Sequence, residues 1–480
     1  MASFTQQFFS GTIYMAAAKY LGLFISIGIS AILARLLMPE DFAVVAIATV
    51  LIGFISLVTS NGLSPAIIQN KNLNTKNIND LYSYTFYFAF ILSFLFILLS
   101  PLIAQFYSDE RLELICIILS INVFFSILSI VPNALLYKDK NFKLLAVRTI
   151  IIHFFAGILS VTWALLGGGV YSLLINPVLN SILIYIVCIY YYPMKFYRKP
   201  EISSLKMIFS FSFYQVLFNV LNYSYRNLDK LLVGKYISMA SLGYYEKSYR
   251  LMMLPLENIS AVINPVLHPL LSEYQNSMSF IREKYMQLLK FSSYIGFFLS
   301  IFLFFTADEV IRILYGPQWE SSILVFKIFA LSIGIQIIQS GIGAIFQALN
   351  KVKIMFWASL ISCFITVVSI LYGIYLGSIE FLAICIVVAF VLAFFIYHIA
   401  LFKNIFRSPF YIFLFALWKP LLVNLIIGFI LFCYTELIFI ENDLLNLTIK
   451  FLISVLLILL MYIMKIIDLP VRNLLQRKQK

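Results

Sequence analysis

Ala-Ile-Leu-Ala-Arg-Leu-Leu (31–37) closes a long apolar segment, and Leu-Leu-Val-Gly-Lys-Tyr-Ile (231–237) closes another at an offset of 200. Arg35 falls on Lys235 in that alignment, and Phe42-Ala43 falls on Leu242-Gly243. At the same offset Ser64-Pro65 falls on Asn264-Pro265. Farther along, Asn133 to Lys143 resembles Gly343 to Lys353 at an offset of 210. Leu- and Ile-rich helices align easily by chance. Here prolines, basic loops and a small-residue turn recur in order at matching segment ends, which marks a duplication.

The segments around these echoes are long enough to cross a bilayer, which takes roughly 20 mostly apolar residues. Spans are expected near 12–37, 41–67, 80–106, 112–137, 143–166, 170–193, 205–234, 240–271, 287–307, 321–349, 353–376, 379–402, 410–435 and 445–467. The chain of 480 residues is 62% hydrophobic and 11% charged, a balance no water-soluble fold could bury. The expected fold is therefore an all-α integral membrane protein of about 14 transmembrane helices. Six spans separate the copies, so both keep one orientation, a parallel repeat typical of transporters with a site between the halves. The expected organisation is a six-helix lobe over 1–200, a second over 201–407, and two extra helices with a basic tail over 408–480.

Lys and Arg in short loops set the orientation. Alternate connections carry Lys71 and Lys76; Lys138, Lys140 and Lys143; Lys195, Arg198, Lys199 and Lys206; Arg282 and Lys284; Lys351 and Lys353; and Lys403 and Arg407. The intervening ones carry Glu40 and Asp41; Asp109, Glu110 and Glu113; Asp308 and Glu309; and Glu436, Glu441 and Asp443. This alternation places both termini in the cytoplasm. It also accounts for most of the net charge of +13, so no nucleic-acid partner is expected. Met1 to Gly11 lacks a basic leader and an A-x-A site, so no cleavable signal is expected. Five cysteines in apolar runs and three scattered histidines give no metal-ligand spacing. There is no G-x-x-x-x-G-K-[ST] stretch for ATP hydrolysis.

Charges inside spans are expensive and point to function. In the seventh span Asn219, Arg226 and Lys230 lie within roughly 40° of one another, with Asn222 and Asp229 on the adjoining flank. Asp229 stands three residues from Arg226, close enough to offset its charge in part. In the eighth, Glu246, Arg250, Glu257, Asn264 and His268 share one face. Glu257 is a deep acid two residues after Pro255, suited to coupling a proton, or to a packing hydrogen bond. Lys19 in the first span is too deep to snorkel, whereas Lys327 and Lys419 stand near helix ends and can. Surplus Arg and Lys suit an anionic ligand, phosphate above all.

These same residues carry a family resemblance. Ile-Leu-Ala-Arg-Leu-Leu-Met-Pro-Glu-Asp-Phe (32–42) and Gly62-Leu63-Ser64 to Gln69 resemble the first two helices of bacterial polysaccharide flippases of the Wzx type. Asn-Tyr-Ser-Tyr-Arg-Asn-Leu-Asp-Lys (222–230) resembles that family's seventh helix, and Leu242 to Pro255 its eighth. The likeness runs through residues 1–275 and continues beyond them mainly as architecture. The family belongs to the multidrug/oligosaccharidyl-lipid/polysaccharide exporter superfamily.

The resemblance implies flipping of undecaprenyl-pyrophosphate-linked oligosaccharide from the cytoplasmic to the outer leaflet of a bacterial cytoplasmic membrane, by ion-coupled alternating access. It implies no enzyme activity and no cofactor beyond a coupling proton or sodium ion. The implied partners are the lipid-linked oligosaccharide, membrane lipids, and the polysaccharide polymerase and chain-length machinery. Arg226, Asp229 and Arg250 match polar positions of its motifs, while Glu257 stands where a neutral residue is usual. The expected headgroup ligands are Arg226, Lys230, Arg250 and Lys19 with Asn219 and Asn222; Glu257, Glu246 and Asp229 are expected to take the coupling ion. Rival readings are a drug or cation exporter of the same superfamily, which should carry more acid than base, and a membrane polymerase or glycosyltransferase, which should carry a large outer domain. The copies differ in chemistry: 226, 230, 246 and 250 are charged, but their counterparts are Ser26, Ser30, Ala46 and Val50.

Overall fold

In hydrocarbon every backbone N–H and C=O must find a partner within the chain, so long apolar segments become helices. The computed structural model describes residues 4–70, 72–272, 274–275 and 277–464, with side chains described for all of these except 4–10, 57–62, 206–222, 264–266, 268–270 and 272. The described residues form helices joined by short turns and contain no strand. They make two compact units, Met1–Gly243 and Tyr244–Lys480.

The first unit contains α1 (Phe4–Leu36), α2 (Pro39–Gln69), α3 (Thr75–Tyr107), α4 (Arg111–Leu128), α5 (Ile130–Lys138), α6 (Phe142–Leu165), α7 (Ser172–Tyr191) and α8 (Ile202–Tyr236). The expected fourth span is thus two helices, broken at Ser129 just before Pro132, which lacks the N–H an unbroken helix needs. Pairs α1–α6, α2–α8, α3–α4 and α6–α7 pack side by side. The irregular stretch 192–201 between α7 and α8 is pinned along α3 rather than hanging free. Lys195 N–H donates to Asn79 Oδ1 at 2.9 Å, and Tyr197 N–H to Ser83 Oγ at 2.8 Å. Tyr87 and Tyr84 hydroxyls donate to the Arg198 and Pro200 carbonyls at 2.9 and 3.0 Å. Lys76 and Glu201 close the strap as an exposed ion pair.

The second unit contains most of α9 (Met239–Ser272), then α10 (Met278–Phe305), α11 (Ala307–Tyr315), α12 (Ser321–Gln339), α13 (Ile342–Ala348), α14 (Val352–Tyr375), α15 (Ile379–Leu401), α16 (Tyr411–Leu437) and α17 (Asp443–Ile463). A wider π turn, Phe402–Phe406, follows α15. Twelve stretches among the described residues are long and apolar enough to span a membrane. α8 and α9 are not among those twelve; with them the spans number fourteen, as the apolar segments predict.

The duplication is visible element by element. α2 begins at 39 and α9 at 239; α6 covers 142–165 and α14 352–375. The α4–α5 break recurs between α12 and α13, splitting the expected span 321–349. Lys140 and Asn350, 210 apart, both take left-handed backbone, as do Gly167 and Gly377. The offset grows from 200 to 210 because the second copy inserts α11 and the turn Pro317–Trp319 where the first has only a short turn after Tyr107. No apolar periodicity of spanning length announces α11.

Candidate functional site

The residues expected at the site are divided between the two units. On α8, Tyr223 turns toward its own unit, and its hydroxyl donates to the Val50 carbonyl of α2 at 3.0 Å. Gly53 makes room for that ring; a Cβ there would stand 2.0 Å from the hydroxyl. This contact fixes the rotation of α8. Asp229 is buried, with Oδ1 accepting the Lys230 N–H at 2.9 Å, Lys230 is half-buried, and Arg226 is exposed. On α1, Lys19 is exposed. The side chains of Asn219 and Asn222 lie outside the described residues, as do those of Asn264 and His268.

In the second unit α9 lies against α12. Ser248 donates to the Ser322 carbonyl at 2.9 Å, and Tyr245 and Tyr249 each meet the Phe329 ring edge-on at 5.5 Å. That anchoring turns Arg250 and Glu257 to the exposed side and leaves Glu246 half-buried between the two sides. Arg226, Arg250, Lys19 and Glu257 are all exposed, and none is hydrogen-bonded or ion-paired to another described residue. The expected snorkelling of Lys327 takes a definite form, an ion pair with Asp308 at 2.5 Å.

Several buried polar groups were not singled out from sequence. Lys247 is buried beside Arg250's helix turn, its ammonium 5.0 Å from the Tyr315 ring and 5.8 Å from Trp319. Arg148 of α6 is buried too, donating to Cys188 Sγ at 3.0 Å and Asn133 Oδ1 at 3.2 Å, which ties α7 and the broken α4–α5 pair together. Glu309 of α11 and Lys450 of α17 form an ion pair at 2.5 Å, each side chain 4% exposed. In sequence Lys450 is a single charge in an apolar run and Glu309 part of an acidic connection, and neither signal says which neighbour answers it. His/Cys/Asp/Glu groups that could hold a metal are absent among the described residues.

The model of the polysaccharide biosynthesis protein family matches residues 32–324, more than half of the chain. The chain belongs to this family. Family membership agrees with the Wzx-type resemblance. An uncharacterized membrane protein of the cps region of Klebsiella pneumoniae is 26% identical over 333 residues, 67% of either chain. The succinoglycan biosynthesis transport protein ExoT of Rhizobium meliloti is 24% identical over 355 residues, 72% of this chain and 70% of that one. Among solved structures, the lipid II flippase MurJ in an inward closed conformation has the same fold at a TM-score of 0.74, with 17% identity over 94% of this chain and 97% of that one. That likeness supports the all-helical, about fourteen-span architecture. ExoT is named a transport protein and neither relative is named as a polymerase or glycosyltransferase, so those two readings find no support.

Proposed function

We propose that this polysaccharide biosynthesis protein flips undecaprenyl-pyrophosphate-linked oligosaccharide units from the cytoplasmic to the outer leaflet of a bacterial cytoplasmic membrane, with both termini in the cytoplasm. The observation that carries the reading is a group of exposed charges on spanning helices, Lys19, Arg226 and Arg250 beside the acid Glu257, none of them paired with another described residue. A cation facing lipid at such depth costs a few kcal/mol, so these side chains need a polar surrounding and an anion. A pyrophosphate supplies both, while the prenyl tail stays in lipid. Lys230 adds a further cation, and Asn219 and Asn222 extend the polar stripe toward the first sugars. Glu257, Glu246 or Asp229 takes the coupling proton or sodium ion, and alternating access carries the headgroup across. A drug or cation exporter would need the opposite balance of charge.

Deleting the gene is expected to stop surface polysaccharide and leave its lipid-linked oligosaccharide on the cytoplasmic face, where added glycosidase or lectin reaches it only after the inner leaflet is opened. Accumulation on the outer face would assign the chain to a later step. Arg250→Ala, at matched expression, removes a hydrogen bond to a charged group worth about 1.5–3 kcal/mol. Export at limiting substrate should therefore fall by about tenfold or more. Unchanged polysaccharide would remove Arg250 from the site.

A further inference from the structure

His398, near the end of α15, is fully buried, and its Nδ1 lies 2.7 Å from the Phe394 carbonyl. Nδ1 must therefore carry the proton, which leaves the Nε2 lone pair of the neutral ring as an acceptor. Among the described residues that Nε2 meets no hydrogen-bond partner, and neither does the hydroxyl of Tyr285 on α10, 1% exposed. The two ring centroids are 6.4 Å apart. One unmet donor and one unmet acceptor thus share a single apolar cluster. Phe394 and Phe413 lie on the imidazole, each at 4.3 Å, and Phe402 and Phe406 of the π turn surround Tyr285.

We infer that Tyr285 and His398 form a proton site of this unit, one that takes up a proton as the α15–α16 end opens. The inference rests on the transport reading and adds to it a second proton site, apart from the carboxylates assigned to the coupling ion. In the arrangement described above, the neutral pair is complementary. Protonated, Nε2–H and the Tyr285 hydroxyl are both donors, and no carboxylate of the described residues enters the cluster. The flanking rings attract the imidazolium but cannot replace a counter-ion. A charged His398 therefore favours whichever arrangement admits water.

The charged groups on the surrounding helices project elsewhere. Arg282 of α10 donates to Ser408 Oγ at 2.6 Å; Glu283, Lys290, Lys403, Arg407 and Lys419 are exposed, and Lys284 is half-exposed. On α9, α12 and α14, Glu257 and Lys353 are exposed and Lys327 is paired with Asp308. The duplicated position in the first unit sharpens the contrast. There, 210 residues earlier, Cys188 is held by the permanent cation of Arg148, whose own counterpart in the second copy is the buried Ala358. One copy closes this place with a fixed charge; the other holds a group that titrates. All of it sits at the end of the unit that carries the basic loops, so the proton exchanges with that side.

The chain has three histidines, so His153→Gln with His268→Gln leaves His398 alone for nitrogen-15 labelling. In lipid nanodiscs, its ring signals are followed from about pH 8 to about pH 5, where imidazoles change charge. Amide exchange over 394–413, corrected for intrinsic rates, is measured alongside. The expected result is a titrating His398, with exchange rising by up to about tenfold per pH unit as pH falls toward its midpoint, the most one linked proton allows, and levelling off below it. His398→Phe, or His398→Gln if the first folds poorly, should abolish that dependence. Tyr285→Phe, which takes a donor from the neutral ring, should move the midpoint to higher pH. A ring that stays neutral throughout, or exchange that responds to pH equally in the His398 variants, overturns the site. Neither readout involves flipping, so failure here leaves the transport reading standing, and failure of the accumulation test leaves these results interpretable.

Discussion

Lys450→Ala lowers the stability of the second unit by about 3–5 kcal/mol, the usual consequence of stranding one partner of a buried ion pair. Lys450 reaches Glu309 Oε1 at 2.5 Å and the Phe305 carbonyl at 2.7 Å. Asn446 Nδ2 donates to the same carboxylate oxygen at 2.6 Å, and the Tyr434 hydroxyl donates to Asn446 at 3.0 Å. The network clasps α16 and α17 to α11, the helix the second copy inserts. Without the ammonium, Glu309 keeps one amide donor for a full charge in an apolar place. Glu309→Met with Lys450→Met removes both charges at similar volume, and is expected to recover most of the loss or exceed the parent. Thermal unfolding of the single and double variants in one detergent gives the coupling directly. A Lys450→Ala protein as stable as the parent would show the clasp to be ornamental.

Gly296→Leu has the second large effect. The α10 and α12 backbones touch here: a Cβ on Gly296 would lie 2.8 Å from the Gly334 carbonyl oxygen and 3.0 Å from its Cα. The Gly334 N–H already donates to Ser300 Oγ across the crossing at 2.7 Å. Small residues let membrane helices approach this closely, and packing of this kind replaces the hydrophobic drive that lipid removes. Backbone cannot step aside as a side chain can. The helices must separate, at about 1–3 kcal/mol for overpacking and more for so large a group. Gly296→Ala should fall between Leu and the parent in melting temperature and in folded yield. Equal stability across the series would mean that this crossing adjusts freely.

The residues named from charge and spacing occupy different surroundings, for identifiable reasons. Arg250 and Glu257 stand on one exposed side of α9, because seven residues nearly complete two helical turns. Asp229, placed beside Arg226 by the same arithmetic, is instead buried and bonded to the neighbouring backbone N–H. Lys247 lies between two residues that were assigned roles, yet it is the one turned against Tyr315 and Trp319. Angular position on a helix was legible; which side faces the protein depended on partners hundreds of atoms away along the chain.

That division holds for the whole molecule. Its sequence alone determined that the chain is a bundle of spanning helices, since only helices satisfy the backbone in lipid. It also determined the duplication, from echoes at 31–37 and 231–237 that reappear as matching helix ends. Tertiary structure alone decided the breaks at Ser129 and Ser340, the insertion of α11, and the pairing of Glu309 with Lys450. The physical reason is locality. Helix formation answers to the solvent and to neighbours within a turn, whereas a buried charge or an unmet hydroxyl is answered only by residues that folding brings beside it.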